Sequence, residues 1–537
     1  MKEYNVLSIM LDCSRNAVPN IDFLKKFVDI ISSLGYNELQ LYTEDTYEIE
    51  SEPYFGYLRG RFSAKELREV DGYCKDKGVE LVPCIQTLAH LDNIFRWKRF
   101  SDLRDSENAL LADDERTYGF IEEEFKTIAG IFTSRKVNIG MDESHGSGIG
   151  EHLKRFGYEK QSDIFFRHLG RVANIAKKYG FSPMLWSDMF FKYENNNEYY
   201  SENPKISDDA IKKLPDNATL VYWDYNLRDD AVYNGMLAAH KKIAGNNFRW
   251  SGAAWSWLGL VPHNDYALAA MKAAVPVMKK NGLKDFMLTM WGDDGAECPR
   301  LSNLPSIFYF SEIVKGNYDE ADIANKFYKR FGIKWTDFLE IDSPNLIDDL
   351  PLDVYDPAKY MLYNDCFLGI FDSTVNADGV RKYKAKEKRL SELKSDKNFG
   401  YMFETEALLC RILTLKYSIG VDTRRAYKAS DKEEIAKLIK KYKQIEKNIA
   451  KLYNSLKRQW YAENKPFGIE VQAARIGGLL QRVKDCRERL LEFVEGKIDR
   501  IEELEAEILD YNGEGGDFGK VSVVNNSYKE ITSAGYN

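Results

Sequence analysis

The sequence predicts an α/β protein: a (β/α)8 TIM-type barrel over residues 1–330, an all-α helical C-terminal domain over 331–511, and a tail over 512–537. Three observations predict it. Short runs rich in Val, Ile and Leu alternate with amphipathic stretches as far as about residue 320; the runs count to eight; and four of the amphipathic stretches end in the same way. A chain of 537 residues has room for such a barrel and a second domain.

The runs predict strands at 6–12, 38–43, 79–86, 137–142, 184–186, 219–223, 249–254 and 286–291. Apolar residues at three- and four-residue spacing predict helices at 21–34, 64–77, 120–134, 162–179 and 266–281. LGYNELQL, KGVELVP, YGFSPMLW and NGLKDFML place Gly35, Gly78, Gly180 and Gly282 between helix and strand, where a left-handed residue closes the helix cheaply. An open doubly wound sheet is the competing architecture, but no GxGxxG opens the first helix.

From about residue 335 the strand signals vanish. IAKLIKKYKQIEKNIAKLYNSLKRQW is a Lys/Glu-rich helix with an apolar stripe, and 471–509 reads as one helix on the order of 55–60 Å long, disturbed at Gly477-Gly478. Such a stripe must be buried, on the rest of the chain or on a second copy, so a homodimer stays open. The glycine-rich stretch 512–519 reads as a loop leading into a loose tail.

Composition excludes several partners. A net charge of −8, from 76 Lys and Arg against 84 Asp and Glu, argues against nucleic acid and against an anionic membrane surface. The N-terminus reaches Asp12 and Arg15 before any useful apolar stretch, and no run of about 18 apolar residues occurs, so a cytoplasmic protein is expected. Cys13, Cys74, Cys84, Cys298, Cys366, Cys410 and Cys486 are odd in number and form no CxxC pair, which predicts buried free thiols and neither disulfides nor zinc. The six His are scattered and strand 1 carries no His-x-His, so neither a metal nor a cofactor is expected.

A barrel of this kind carries its chemistry at the C-terminal ends of its strands. Those ends supply Arg15 after strand 1, Glu44 and Asp45 after strand 2, His90 after strand 3, and Asp142-Glu143 at strand 4. Strand 5 supplies Trp186 and Asp188, strand 6 Trp223, Asp224 and Tyr225, strand 7 Trp255 and Trp257, and strand 8 Trp291, Asp293 and Asp294. Trp faces beside carboxylates suit a sugar, whose apolar ring face stacks on indole while its hydroxyls bond to charged groups; Trp257 joins that wall. Glycoside hydrolysis ordinarily needs two carboxyl groups about 5–9.5 Å apart. Asp142 and Glu143 are instead adjacent, and both can face one pocket only where the strand is ending, which Gly140 permits; an acid-rich helix N-terminus would also explain them.

VNIGMDES resembles the Asp-Glu signature of the family 20 glycoside hydrolases, the β-N-acetylhexosaminidases. The resemblance covers about the first 320 residues. It implies that Arg15 and Asp293 contact sugar hydroxyls, that His90 follows strand 3 into the site, and that Trp186, Trp223 and Trp291 wall an acetamido pocket beside Tyr225. The chain departs from the pattern at Met141, where Gly is usual, and at Gln86, where an acid is common. With strand 1 expected from about Val6 and a helical domain expected after the barrel, the α+β domain usual ahead of the barrel is not expected, and the layout resembles the compact bacterial branch that accepts both N-acetylglucosamine and N-acetylgalactosamine. The implied reaction is substrate-assisted: the 2-acetamido oxygen attacks the anomeric carbon, Glu143 is acid and then base, Asp142 orients the amide, and Tyr225 donates to its carbonyl. Two alternatives stay open, a barrel glycosidase using Glu143 and Asp293 with a covalent intermediate, and a sugar-binding protein without turnover.

Overall fold

The computed structural model describes residues 3–347, 354–511, 513 and 527–535, so most of the expected tail lies outside the described residues. Eight parallel strands close into a barrel in sequence order: β1 (Val6–Asp12), β2 (Glu38–Tyr42), β3 (Glu80–Cys84), β4 (Lys136–Asn138), β5 (Ser182–Trp186), β6 (Thr219–Trp223), β7 (Phe248–Ala253) and β8 (Asp285–Met290). β1 pairs with β8 over Val6↔Asp285 to Leu11↔Met290, which closes the ring. Each strand is buried nearly throughout, because helices cover the outer face and side chains fill the inner one.

Local chemistry sets the helix limits. Ile21–Ser33 is capped by Asn20, whose side chain accepts from the Phe23 amide, and Ala64–Asp76 opens with a reciprocal Ser63/Glu66 capping box. Gly35, Gly78, Gly180 and Gly282 all have φ between +72° and +91°, the left-handed geometry expected of them. The helix expected at 120–134 instead runs Glu115–Ala129, because Asp114 caps the Arg116 amide and starts it five residues earlier.

The largest departure in the barrel is β4, which ends at Asn138 and not at Asp142. The Asn138 side chain accepts the Gly140 amide at 3.0 Å, turning the chain out of the sheet. Gly140 has φ +68°, and a Cβ there would lie 1.9 Å from Oε1 of Gln86, so this turn requires glycine. Asp142 and Glu143 therefore stand on irregular backbone beyond the strand, and the next helix, Glu151–Phe156, begins too far on for them to be its first turn.

The chain divides into two compact units. The first comprises Met1–Ala254, Ala267–Trp291 and Ser306–Asp319; the second comprises Trp255–Tyr266, Gly292–Pro305 and Glu320–Asn537. In the second, Gly379–Leu393 packs on Gly400–Lys416, that helix on Lys432–Glu463, and that one on Ile469–Val494. The single long helix expected over 471–509 stops at Val494: Gly496, at φ +72°, lets the Lys497 amide fold back onto the Glu492 carbonyl at 2.9 Å. Gly477 and Gly478 lie within that helix without interrupting it. All seven cysteines are free and buried. Among the described residues no helix is long and apolar enough to cross a membrane.

Candidate active site

The first four strand-to-helix loops bring polar groups together over the C-terminal mouth of the barrel, and they do so on strained backbone. Asn16, Glu44, His90, Met141 and Glu143 all have positive φ, between +47° and +70°. Non-glycine residues hold that geometry only where the surroundings compel it, which is common at functional sites.

His90 is the hub. Its Nε2 lies 3.2 Å from Oδ2 of Asp142 and 3.8 Å from Oε2 of Glu143. Burial by itself would lower the imidazole pKa, but the Asp142 carboxylate outweighs it and His90 is pushed up to about 9. Burial would likewise raise Asp142; His90, its hydrogen bond and Gln86 Nε2 at 3.5 Å hold it below the ordinary range instead. Gln86 also donates to the Tyr42 hydroxyl at 2.8 Å, so it ties the start of this loop to the barrel interior.

Glu143 goes the other way. Burial and the neighbouring Asp142 charge raise its pKa, while half of its side-chain surface stays exposed. Its backbone amide donates to Oδ2 of Asp188 at 3.1 Å, and Lys192 Nζ lies 3.2 Å from that same oxygen. Two adjacent carboxyl groups with opposite shifts are suited to different protonation states in one site.

Arg15 lies 3.3 Å from Glu44, which also accepts from the Tyr42 hydroxyl at 3.2 Å. Fully enclosed, Glu44 is pushed up to about 7 by burial despite Arg15 and His90. Aromatic groups form the remaining wall: Trp291 packs edge-on to Tyr42 at 4.8 Å and against Trp186 at 5.8 Å, and Trp223 lies 5.1 Å from Tyr225. The Tyr225 hydroxyl is hydrogen-bonded to Thr289 and to Trp291. The buried indole N–H groups of Trp186 and Trp223 have no hydrogen-bond partner among the described residues.

Of the residues singled out in the sequence, Arg15, His90, Asp142, Glu143, Trp186, Trp223, Tyr225 and Trp291 all belong to the first unit. Trp257 and Asp293 lie on the two segments that belong to the second, where Trp257 stacks on Trp255 at 4.2 Å. The sequence offered Glu44 and Asp188 as strand-end residues but neither their partners nor Lys192: Glu44 pairs with Arg15, and Asp188 with Lys192 anchors the Glu143 backbone. The one signal for the anchor was an Asp and a Lys four residues apart just after strand 5.

Residues 4–247 match the sequence model of the glycosyl hydrolase family 20 catalytic domain, and residues 336–523 match that of the glycoside hydrolase 20C C-terminal domain. Together the two take in most of the chain. The chain belongs to glycoside hydrolase family 20. It is therefore a glycoside hydrolase, and the hexosaminidases are its family. Among curated proteins it is 21% identical to hexosaminidase D of Bos taurus over 257 residues, covering 45% of this chain and 69% of that protein. It is 22% identical to hexosaminidase D of Homo sapiens over 258 residues, covering 45% of this chain and 49% of that protein. Among solved structures, the β-N-acetylhexosaminidase of Bacteroides fragilis is 18% identical at a TM-score of 0.45, over 61% of this chain and 70% of the other. The N-acetyl-β-hexosaminidase of Streptomyces plicatus is 18% identical at a TM-score of 0.42, over 58% and 64%.

Proposed function

We propose that this family 20 enzyme is an exo-acting β-N-acetylhexosaminidase that removes terminal non-reducing β-linked N-acetylglucosamine or N-acetylgalactosamine with retention. The observation that carries the reading is the Asp142–Glu143 pair on its turn beyond β4, with His90 3.2 Å from the first and 3.8 Å from the second. Asp142, kept ionised by His90, would accept the acetamido N–H and offset the positive charge of an oxazolinium. Glu143, kept protonated more readily, would give its proton to the leaving oxygen and then take one from water. Tyr225, whose hydroxyl is bonded to Thr289 and to Trp291, would turn its proton from Thr289 to the substrate carbonyl. Arg15 and Asp293 would grip hydroxyls, with Trp186, Trp223, Trp257 and Trp291 against the sugar's apolar faces. No metal or cofactor is required by this chemistry.

The test is the acetamido group, because in this mechanism the attacking oxygen belongs to the substrate. With aryl β-N-acetylglucosaminides bearing one, two and three fluorines on the acetyl group, kcat/KM should fall progressively as the carbonyl loses basicity. A flat series, with plain β-glucosides turned over at similar rates, would instead assign the reaction to a protein nucleophile.

A further inference from the structure

The loop after β8, residues 292–305, carries Asp293, and within the second unit that loop is held by side chains of the helical region. Asp294, its next residue, is 3.0 Å from Lys359 Nζ and 2.8 Å from Arg475 Nη2. It also accepts the Tyr528 amide at 2.8 Å. Arg475 uses its other terminal nitrogen on the loop as well, donating to the Asp294 carbonyl at 3.1 Å and to Glu297 at 2.8 Å. Gln472, one helical turn away, donates to the Gly295 carbonyl at 2.9 Å. The loop is shaped for this fork: Gly295 has φ +92°, and a Cβ there would come within 2.6 Å of the Arg475 guanidinium. Lys359 reaches the preceding loop too, for a Cβ on Gly259 would lie 2.9 Å from its Cδ, and that loop carries Trp257.

Such an arrangement exceeds what docking a helix needs. Lys359 is 1% exposed and Arg475 10% exposed, and both charges are spent on backbone and carboxylates of one loop in place of apolar packing. A planar, five-donor guanidinium fixes a loop's position and orientation at once, which a flexible ammonium cannot.

We propose that Arg475 and Lys359 are positioning residues for the glycosidase reaction, fixing the β8 loop and through it Asp293. This rests on the hexosaminidase reading and on the part given there to Asp293.

The test is a double-mutant cycle on the full chain, read as kcat and KM with an aryl β-N-acetylglucosaminide. Arg475→Met should lower kcat/KM on the order of 10–100-fold, the size of a misplaced ligand contact. Arg475→Lys should recover only part of it. In an Asp293→Ala background the same change should cost little more, because residues that act through one another are not additive. Gln472→Met, which removes one donor and leaves the charges in place, should give a smaller loss in the same direction. Arg482→Met is the control. It breaks a comparable ion pair, 2.6 Å to Asp365, two turns along the same helix; it should lower thermal stability while kcat/KM holds. Hydrogen exchange in 292–303 should quicken in Arg475→Met and not in Arg482→Met. Additive losses, or equal kinetic effects at 475 and 482, would overturn the proposal while wild-type turnover still upheld the hexosaminidase reading. Absence of wild-type turnover would overturn both.

Discussion

At the N-terminal mouth of the barrel, Glu38 of β2 is buried against Arg249 of β7, with Lys136 of β4 at 3.2 Å and Gln40 donating at 3.0 Å. At the C-terminal mouth, Glu44, Asp142, Glu143 and Asp188 crowd around Arg15, His90 and Lys192. Burial would raise a carboxyl pKa at either end. At the lower mouth Arg249 and Lys136 overcome it and hold Glu38 down at about 2; at the upper mouth His90 overcomes it at Asp142 alone, and burial wins at the other three, with Glu44 pushed up to about 7 and Glu143 and Asp188 raised as well. Buried carboxylates with matched cations stabilise the fold, whereas carboxyl groups left short of cations, with Glu44 and Glu143 on positive-φ backbone, form the pattern that points to a candidate site.

The sharpest way to break this contrast is to remove one carboxylate from the upper mouth. Glu143→Gln should lower turnover about 10²–10⁴-fold on substrates with poor leaving groups and much less on activated aryl substrates. Asp142→Asn should depress turnover on both. Glu143→Gln should not lower the melting temperature much, since burial and Asp142 already disfavour its charge, whereas Asp142→Asn should lower it, since it removes the carboxylate that holds His90 charged. Equal loss from Glu143→Gln on both substrate types would remove it as the acid, and a large fall in its melting temperature would place Glu143 among the structural carboxylates.

How much of this the sequence held depends on whether the signal is local. The eight strands and the four glycines after helices were legible because each is a property of one short segment and of one left-handed residue. The end of β4 was not, because it depends on an Asn138 side chain and on Gln86 from the neighbouring strand's loop. The pair Asp142-Glu143 was legible as a motif, and Arg15, His90, Trp186, Trp223, Tyr225 and Trp291 as strand-end residues. Glu44 and Asp188 acquire their meaning from partners 29 and 45 positions away along the chain, at Arg15 and Glu143, which no local pattern encodes. The long C-terminal helix was overextended because Gly496 looks like any helical glycine until the Lys497 amide is seen closing the turn.

The lower mouth should fail in the opposite sense. Arg249→Met leaves Glu38 buried beside Lys136 alone, and should cost about 3–5 kcal/mol of stability, the usual price of orphaning one partner of a buried pair. Denaturant unfolding would measure it, and kcat of the folded fraction should hold. Because Glu38 has a folded pKa of about 2 against an ordinary 4.5, its charge stabilises the fold above pH 4.5, and that contribution is lost as pH falls towards 2. At about 1.4 kcal/mol per unit the contribution is roughly 3 kcal/mol. Glu38→Gln should therefore lower stability at pH 7 and make little difference near pH 2; the same loss at both would mean that Glu38 contributes by packing alone.

The smallest effect expected is also the most diagnostic, because it reverses that sign at the upper mouth. Glu44 has a folded pKa of about 7 and an ordinary value of 4.5, so between these pH values the folded chain holds a proton that the unfolded chain has released. Stability from this group is full below pH 4.5 and declines as pH rises through 7. Replacing Glu44 with Gln keeps the shape and removes the titration, so melting temperature plotted against pH should flatten between pH 5 and 8, with the variant gaining most at the upper end. The slope should not vanish, since Glu143 and Asp188 are raised in the same direction. His90 adds to the slope above pH 6.5: pushed up to about 9, its stabilising charge is full below pH 6.5 and is lost progressively as pH climbs through 9, so the Glu44 contribution is read between pH 5 and 6.5. Stabilisation should come at the expense of activity, because Arg15 would lose the carboxylate 3.3 Å away that orients it, and kcat/KM should fall several-fold. A variant that melts along the same pH profile as the parent would put Glu44 with the matched carboxylates of the lower mouth and erase the contrast between the two ends.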